Sequence, residues 1–304
     1  MTKHVAVLKG GWSAERDVSL VSGAAVAKAL KDAGYQVTEI DVAADIADQL
    51  SKVKPDVGFN GLHGRWGEDG CIQGVLEILN IPYTHSGVMA SSVAMDKVRA
   101  KVFFNSVGIP CARDMIVSRD ALFAQDPLPR PFVVKPSNEG SNVGVVIVRP
   151  GDNFSPSQPG PWADTDQLMV EEYLPGRELT VSVMDNRAIT VTELKPRSGF
   201  YDYEAKYQDG KTDHIIPAEL DQEILARIMT YAERAHQVLG CSGVTRSDFR
   251  LDDGPQGDGI PYILELNTQP GMTPLSLVPE QADFVGMTFG QLVTWMVEDA
   301  SCGR

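Results

Sequence analysis

The sequence predicts a mixed α/β and α+β protein: an N-terminal domain built on a parallel, doubly wound sheet, followed by two α+β parts. Three observations predict it. Short apolar strands alternate with helical segments up to about residue 94. RPFVVK (130–135) and VGVVIV (143–148) flank a Gly/Ser/Asn loop and read as an antiparallel hairpin. GVTRSDFRL (243–251) and YILELN (262–267) carry polar pairs inside otherwise apolar strands around a Gly/Asp-rich turn. The expected divisions are 1–94, 95–174 and 175–304.

Taken in order, HVAVL (4–8) is a buried strand ended by Gly10-Gly11. Residues 16–32 form a helix, with Leu20, Val21, Ala24, Ala27 and Leu30 near helical spacing and Asp32-Ala33-Gly34 as its stop. Strands at 35–41 and 56–60 and a helix at 72–79 complete the first domain. Met95 to Val107 reads as one helix, broken by Ile109-Pro110. PGDNFSPSQPGPW (150–162) is a surface loop, and QLMVEEYL (167–174) a strand closed by Pro175-Gly176. Alternation returns over 178–195, a long helix spans 220–239, and a last helix covers roughly 289–298.

Bulk composition narrows the function. The 304 residues are 43% hydrophobic and 22% charged, with a net charge of −14. Nucleic acids and membrane surfaces favour a basic face, so neither is an expected partner. Cys71, Cys111, Cys241 and Cys302 are scattered, with no CxxC pair, and read as reduced thiols. With no signal-like apolar segment and no run of membrane-spanning length, the expected location is the cytoplasm.

Two stretches carry chemistry. In KPSNEGSNVG (135–144), glycines and small polar residues let backbone N–H groups crowd around phosphate oxygens. A strand follows it, whereas a P-loop or dinucleotide fingerprint needs a helix there, so the loop reads as a flap over a nucleotide. Lys135 at the end of the incoming strand is placed to meet an α- or β-phosphate; Lys97 alone reads as a surface helix lysine. Farther on, Arg246 and Asp248 share one strand face, and Glu265 and Asn267 share another. A solvent-facing sheet would look similar. The tight turn after Asn267 favours instead a Mg²⁺ site made of Asp248, Glu265 and Asn267, with Arg246 meeting charge on a reacting oxyanion.

These blocks resemble the ATP-grasp superfamily, and within it the D-alanine–D-alanine ligase family. GGWSAERDVSLVSG (10–23), LHGRWGEDG (62–70), PYTHSGVMASSVAMDK (82–97), VKPSNEGSNVG (134–144), YDYEAKY (201–207), LELNTQPGM (264–272) and SLVP (276–279) follow one another in that family's order. The resemblance implies an ATP-grasp fold with nucleotide held between the two α+β parts. It implies that ATP activates one D-alanine as an acyl phosphate, which the amine of a second D-alanine attacks, for peptidoglycan precursor synthesis. It further implies two Mg²⁺ ions (with Mn²⁺ able to substitute), ATP and two D-alanines as partners, and a homodimer.

Carried onto matching positions, the resemblance gives Glu15 the ammonium of the first D-alanine; by itself Glu15 is an ordinary first-turn acid. It places His63 near that substrate, Lys97 and Lys135 on phosphates, Glu171 and Leu174 at the adenine, and Glu178 at the ribose. Arg246 and the N–H of Gly271 would form the oxyanion site, and Ser276 and Leu277 would receive the second substrate. YDYEAKYQDGK (201–211) takes the place of the family's mobile loop, which closes over ATP with Lys206 on the γ-phosphate. Tyr207 would then join Ser141 and Glu15 in one hydrogen-bonded set.

Two rivals remain at this stage: the same fold using D-lactate or D-serine as second substrate, and a nucleotide-binding regulator without turnover. The complete set Arg246, Asp248, Glu265 and Asn267 argues against the regulator. The phenolic oxygen of Tyr207 favours an amine nucleophile, because depsipeptide-forming relatives often carry phenylalanine there. In a panel of D-amino and D-hydroxy acids near neutral pH, D-alanine should be joined and D-lactate refused; equal use of D-lactate would remove that role from Tyr207.

Overall fold

The computed structural model describes residues 2–137, 144–154, 162, 167–197 and 211–304. A parallel sheet of order β2-β1-β3 opens the chain, from β1 (His4–Lys9), β2 (Gln36–Asp41) and β3 (Val57–Asn60). Val5, Ala6, Val7 and Leu8 are all fully buried, as an uninterrupted apolar strand at the centre of a parallel sheet requires. One face of the sheet packs through Ala6, Leu8 and Ile40 against Leu50, Ile72 and Leu76 of helices α2 (Ile46–Val53) and α3 (Cys71–Ile78). The other packs through Val5, Val7 and Phe59 against helix α1 (Arg16–Asp32), and also against Met272, Val278 and Val293 from late in the chain.

Helices α4 (Val88–Met95) and α5 (Lys97–Ser106) replace the single helix expected over 95–107. The break is Asp96, an extended residue whose carboxylate accepts the Arg99 N–H and so caps α5. An antiparallel sheet of order β4-β7-β5-β6 follows, from β4 (Asp114–Ser118), β5 (Phe132–Lys135), β6 (Val146–Val148) and β7 (Gln167–Glu172). The β5–β6 hairpin is as expected. Short helix α6 (Arg119–Ala124) sends Leu122 into its core beside Phe132 and Trp162.

The third sheet has the order β10-β9-β8-β11-β12. Its strands are β8 (Arg177–Met184), β9 (Arg187–Pro196), β10 (Thr212–Ile215), β11 (Val244–Leu251) and β12 (Pro261–Asn267). The stretch expected as one alternating segment is a hairpin, turned at Asp185-Asn186, both with positive φ. Helix α7 (Gln222–Val238), capped by the Asp221 side chain, covers one face of this sheet. On the other face lies α8 (Leu277–Phe284), followed by α9 (Phe289–Asp299), which starts with a Thr288/Gln291 capping box and packs on α1.

The sequence did not predict α2, α4, β4, α6, β10 or α8. Strand β4 is an exposed edge without a clean alternation. Helix α8 holds Pro279 in its first turn, which reads as a breaker although a helix tolerates it there.

Gln281 fixes α8 to the sheet. Pairing between β8 and β9 slips between Val181 and Val183, and the Gln281 carboxamide takes up the polar groups beside the slip. Its oxygen accepts the Ser182 N–H at 2.8 Å, and its nitrogen donates to Thr180 O at 3.1 Å and Thr192 Oγ1 at 3.0 Å. Gln281 is fully buried, so replacing it by Met strands a backbone donor. Gln281→Met should lower stability by about 2 kcal/mol, read as a lower urea midpoint at unchanged slope.

Candidate active site

The two polar pairs meet as their spacing predicts. Across β11 and β12, Arg246 stands opposite Asn267 and Asp248 opposite Glu265. The register then slips between Asp248 and Phe249, a bulge of the kind that re-aims side chains beside active sites. Arg246 grips Asp248 with two bonds, Nε to Oδ1 at 2.9 Å and Nη2 to Oδ2 at 2.8 Å. Thr180 Oγ1 donates to the same Oδ1 at 2.7 Å. Lys97 Nζ lies 3.1 Å from Glu265 Oε2, so the lysine taken alone as a surface residue reaches the carboxylate cluster. Asn267 Oδ1 accepts the Gln269 N–H at 2.7 Å and keeps a second lone pair.

This donor set fits a hard divalent cation. Two carboxylates and an amide oxygen on one sheet face are Mg²⁺ ligands by chemistry, and two basic side chains already balance their charge. Among the described residues there is no cluster of three His, Cys, Asp or Glu groups, and Asn267 is the third oxygen donor of this set.

Lys135, expected on a phosphate, ends β5 almost fully buried and pairs with Glu171 on the neighbouring strand. The other oxygen of Glu171 accepts from Lys101 Nζ at 2.8 Å, and Lys101 in turn reaches Asp114 at 2.7 Å and the Ala112 carbonyl at 2.6 Å. Burial alone would raise the Glu171 pKa; Lys135 and Lys101 outweigh it and hold it below the usual glutamate range. Burial likewise opposes the Lys101 charge, and Glu171 and Asp114 outweigh it and raise its pKa. Leu174 is half-buried just past β7. Glu178 pairs at 2.9 Å with Arg250, its direct cross-strand neighbour.

At the far end, Glu15 and His63 are buried together in the loops after β1 and β3. Ser13 Oγ donates to the His63 carbonyl at 2.7 Å and accepts the Glu15 N–H at 3.2 Å. The His63 ring lies 3.1 Å from Ser22 Oγ and 3.3 Å from Glu68 Oε1. A side chain at residue 64 would meet Glu15: a Cβ on Gly64, which has φ of +67°, would lie 2.7 Å from Oε2. Ser22 Oγ also accepts the Met272 N–H at 3.3 Å, so the loop after β12 closes onto these residues. Gln269 strengthens that closure by donating to the Leu62 carbonyl and accepting from the Asn60 amide. The Ser276 hydroxyl turns away from capping α8; it accepts the Thr273 N–H at 2.9 Å and would lie 2.8 Å from a Cβ at Gly271. Leu277 packs on Leu194. Ser141, Lys206 and Tyr207, and with them the expected closing loop, lie outside the described residues.

Known proteins resemble this chain along its whole length. The family model for the D-ala D-ala ligase C-terminus matches residues 103–298, and that for the D-ala D-ala ligase N-terminus matches 38–86. A D-alanine–D-alanine ligase of Parvibaculum lavamentivorans is 56% identical over 99% of both chains. The chain belongs to the D-alanine–D-alanine ligase family. Another member, from Granulibacter bethesdensis, is 55% identical over 99% of this chain and 98% of its own. Two crystal structures of the Bacillus anthracis ligase superpose with TM-scores of 0.82 and 0.83, at 31% and 29% identity, over 98% of this chain and 97% of theirs; the second is a complex with ATP. The ATP-grasp fold expected from the sequence is therefore the observed one.

Within this ligase fold, four residues beside the site escaped the sequence reading: Lys101, Ser22, Gln269 and Thr180. Only Lys101 left a signal, as a lysine inside the buried stripe of α5 with Ala100 and Phe104. Its partners Asp114 and Glu171 stand opposite each other on β4 and β7 of one sheet, so Lys101→Met leaves Glu171 short of one cation and Asp114 unpaired. That variant should lose about 3–5 kcal/mol at neutral pH. The depressed Glu171 pKa contributes stability above its ordinary value of 4.5, and this is lost as the pH falls through the lower folded value. The raised Lys101 pKa contributes below 10.5 and is lost as the pH rises through the higher folded value. Thermal melts across pH should show the gap between wild type and Lys101→Met widest between those limits and narrowing on acidification.

Proposed function

We propose that this chain joins two D-alanines into D-alanyl-D-alanine at the expense of ATP, through a D-alanyl phosphate, in peptidoglycan precursor synthesis. The observation that carries it is the pairing of Asp248 with Glu265 and of Arg246 with Asn267, closed from the other side by Lys97. Full-length ligase relatives above 50% identity support the reaction class.

Asp248, Glu265 and Asn267 would hold Mg²⁺ beside the nucleotide phosphates. Bound there, the ions would neutralise phosphate charge during transfer to the first D-alanine carboxylate. Lys97 and Lys135 would shift from their carboxylate partners toward phosphate oxygens, and Lys206 would join them. Glu171 and Leu174 would line the adenine end and Glu178 the ribose. Glu15 would hold the ammonium of the first D-alanine, with His63 beside it. Ser276 and Leu277 would receive the second D-alanine, whose amine attacks the acyl phosphate. Arg246 and the Gly271 N–H would take the negative charge on the tetrahedral oxygen as phosphate leaves. Ser141 and Tyr207 would complete the set around Glu15. The protein would act in the cytoplasm, as a homodimer; among the described residues no helix is long and apolar enough to cross a membrane.

Purified protein given ATP, Mg²⁺ and D-alanine should release phosphate and dipeptide in equal amounts; binding of ATP without release would leave only the regulator reading. Glu265→Gln should lower kcat more than about a hundred-fold and raise the Mg²⁺ requirement, measured in a coupled ADP assay. Near-normal turnover would take Glu265 out of the metal site.

A further inference from the structure

The reaction proposed above gives no role to Trp12 or Trp66, the two tryptophans in GGWSAERD and HGRWGEDG. Trp12 is 52% exposed and Trp66 39% exposed, high values for the largest apolar side chain. Their rings lie 6.0 Å apart, tilted at 45°, and the Arg65 guanidinium sits 4.7 Å from the Trp66 ring centre. Trp66 has a φ of +74°, a costly conformation for a bulky residue and one that concentrates at ligand sites.

Beneath them lies a cavity of about 140 Å³. Its walls include Val42, Ile46, Leu62, Ile72 and Val75, and the exposed thiol of Cys71 opens onto it. Its walls come from the loops that follow β1, β2 and β3 and from helices α2 and α3. With strand order β2-β1-β3, the chain reverses direction across the sheet between the loops after β1 and β3. Open parallel sheets bind ligands in that crevice. Ser13 and His63 also line it, so the cavity adjoins the first-substrate end of the reaction site, but Glu15, Ser22, Glu68 and Gly271 are not among its walls.

We propose that this crevice is a second binding site, for a small carboxylate carrying one six-membered aromatic ring. Size and chemistry choose the occupant. An apolar cavity of about 150 Å³ holds one benzene ring. Among the described residues Arg65 makes no ion pair, although the chain carries a net charge of −14. An anionic head beside Arg65 would supply the missing partner while the ring fills the space between Leu62, Ile46 and the two indoles.

Phenylacetate and its neutral analogue phenylacetamide are the probes, titrated into the full chain by calorimetry. Phenylacetate should bind saturably with a Kd on the order of 1 mM. Phenylacetamide, or phenylacetate with Arg65→Gln, should bind about tenfold more weakly. Val75→Phe fills the cavity and should abolish binding. In the unaltered protein, saturating phenylacetate should slow alkylation of Cys71 by iodoacetamide, as read by peptide mass spectrometry. Absence of saturable binding overturns the proposal. So does binding that survives both Arg65→Gln and Val75→Phe, or that ATP with D-alanine displaces while Cys71 stays unprotected.

Discussion

Asp248 and Glu265 stand directly opposite each other on adjacent strands, and like charges so placed repel. Much of the molecule is arranged around relieving that repulsion. Arg246, two residues from Asp248 on the same strand face, supplies one cation in a two-bond grip. Lys97 supplies the other from a separate element, the first residue of α5. That helix is held in place because Asp96 caps it and because the Lys97 N–H donates to Ser137 O, just past β5, at 2.9 Å. The break between α4 and α5 thus positions a charge. In the proposed reaction a nucleotide and its metal ions would take the place of these internal partners.

A second requirement is to hold three sheets in register around one cleft. The fold meets it with fully buried polar groups. Gln269 ties the loop after β12 to the loop after β3, and Ser22 takes the Met272 N–H. Gln281 anchors α8, and with it Ser276 and Leu277, to the sheet that carries Asp248. Lys101 binds α5 to the edge strand β4 and its neighbour β7. Buried polar contacts of this kind lose most of their worth if displaced by an ångström, so they hold geometry more strictly than apolar packing does.

How much of this was legible follows from the range of each interaction. Helix α1 was read at its observed bounds, because its apolar spacing and its Asp-Ala-Gly stop are local. The pairing of β11 with β12 was legible too, since period-two spacing puts Arg246 with Asp248 and Glu265 with Asn267. The other expected site residues were named only through blocks of matching sequence, and residues such as Glu15 and Glu178 would have passed for surface acids without them. What stayed hidden depends on distant partners. Lys101 meets Glu171 across 70 positions and Gln269 meets Asn60 across 209. No local pattern announces such a contact. Lys97 shows the same limit from the other side: it reads as a surface lysine until Glu265 is seen beside it.

The shared core beneath the first sheet bears on how the protein is made. Val5, Val7 and Phe59 are covered partly by Met272, Val278, Val293 and Val297. On the ribosome the part of that face not covered by α1 stays exposed until almost the whole chain has been synthesised. The N-terminal third therefore cannot complete its folding as it emerges, and its finished form waits for the last helices to arrive. A nascent chain held in that state exposes apolar strand surface for most of its synthesis, the kind of surface that molecular chaperones recognise.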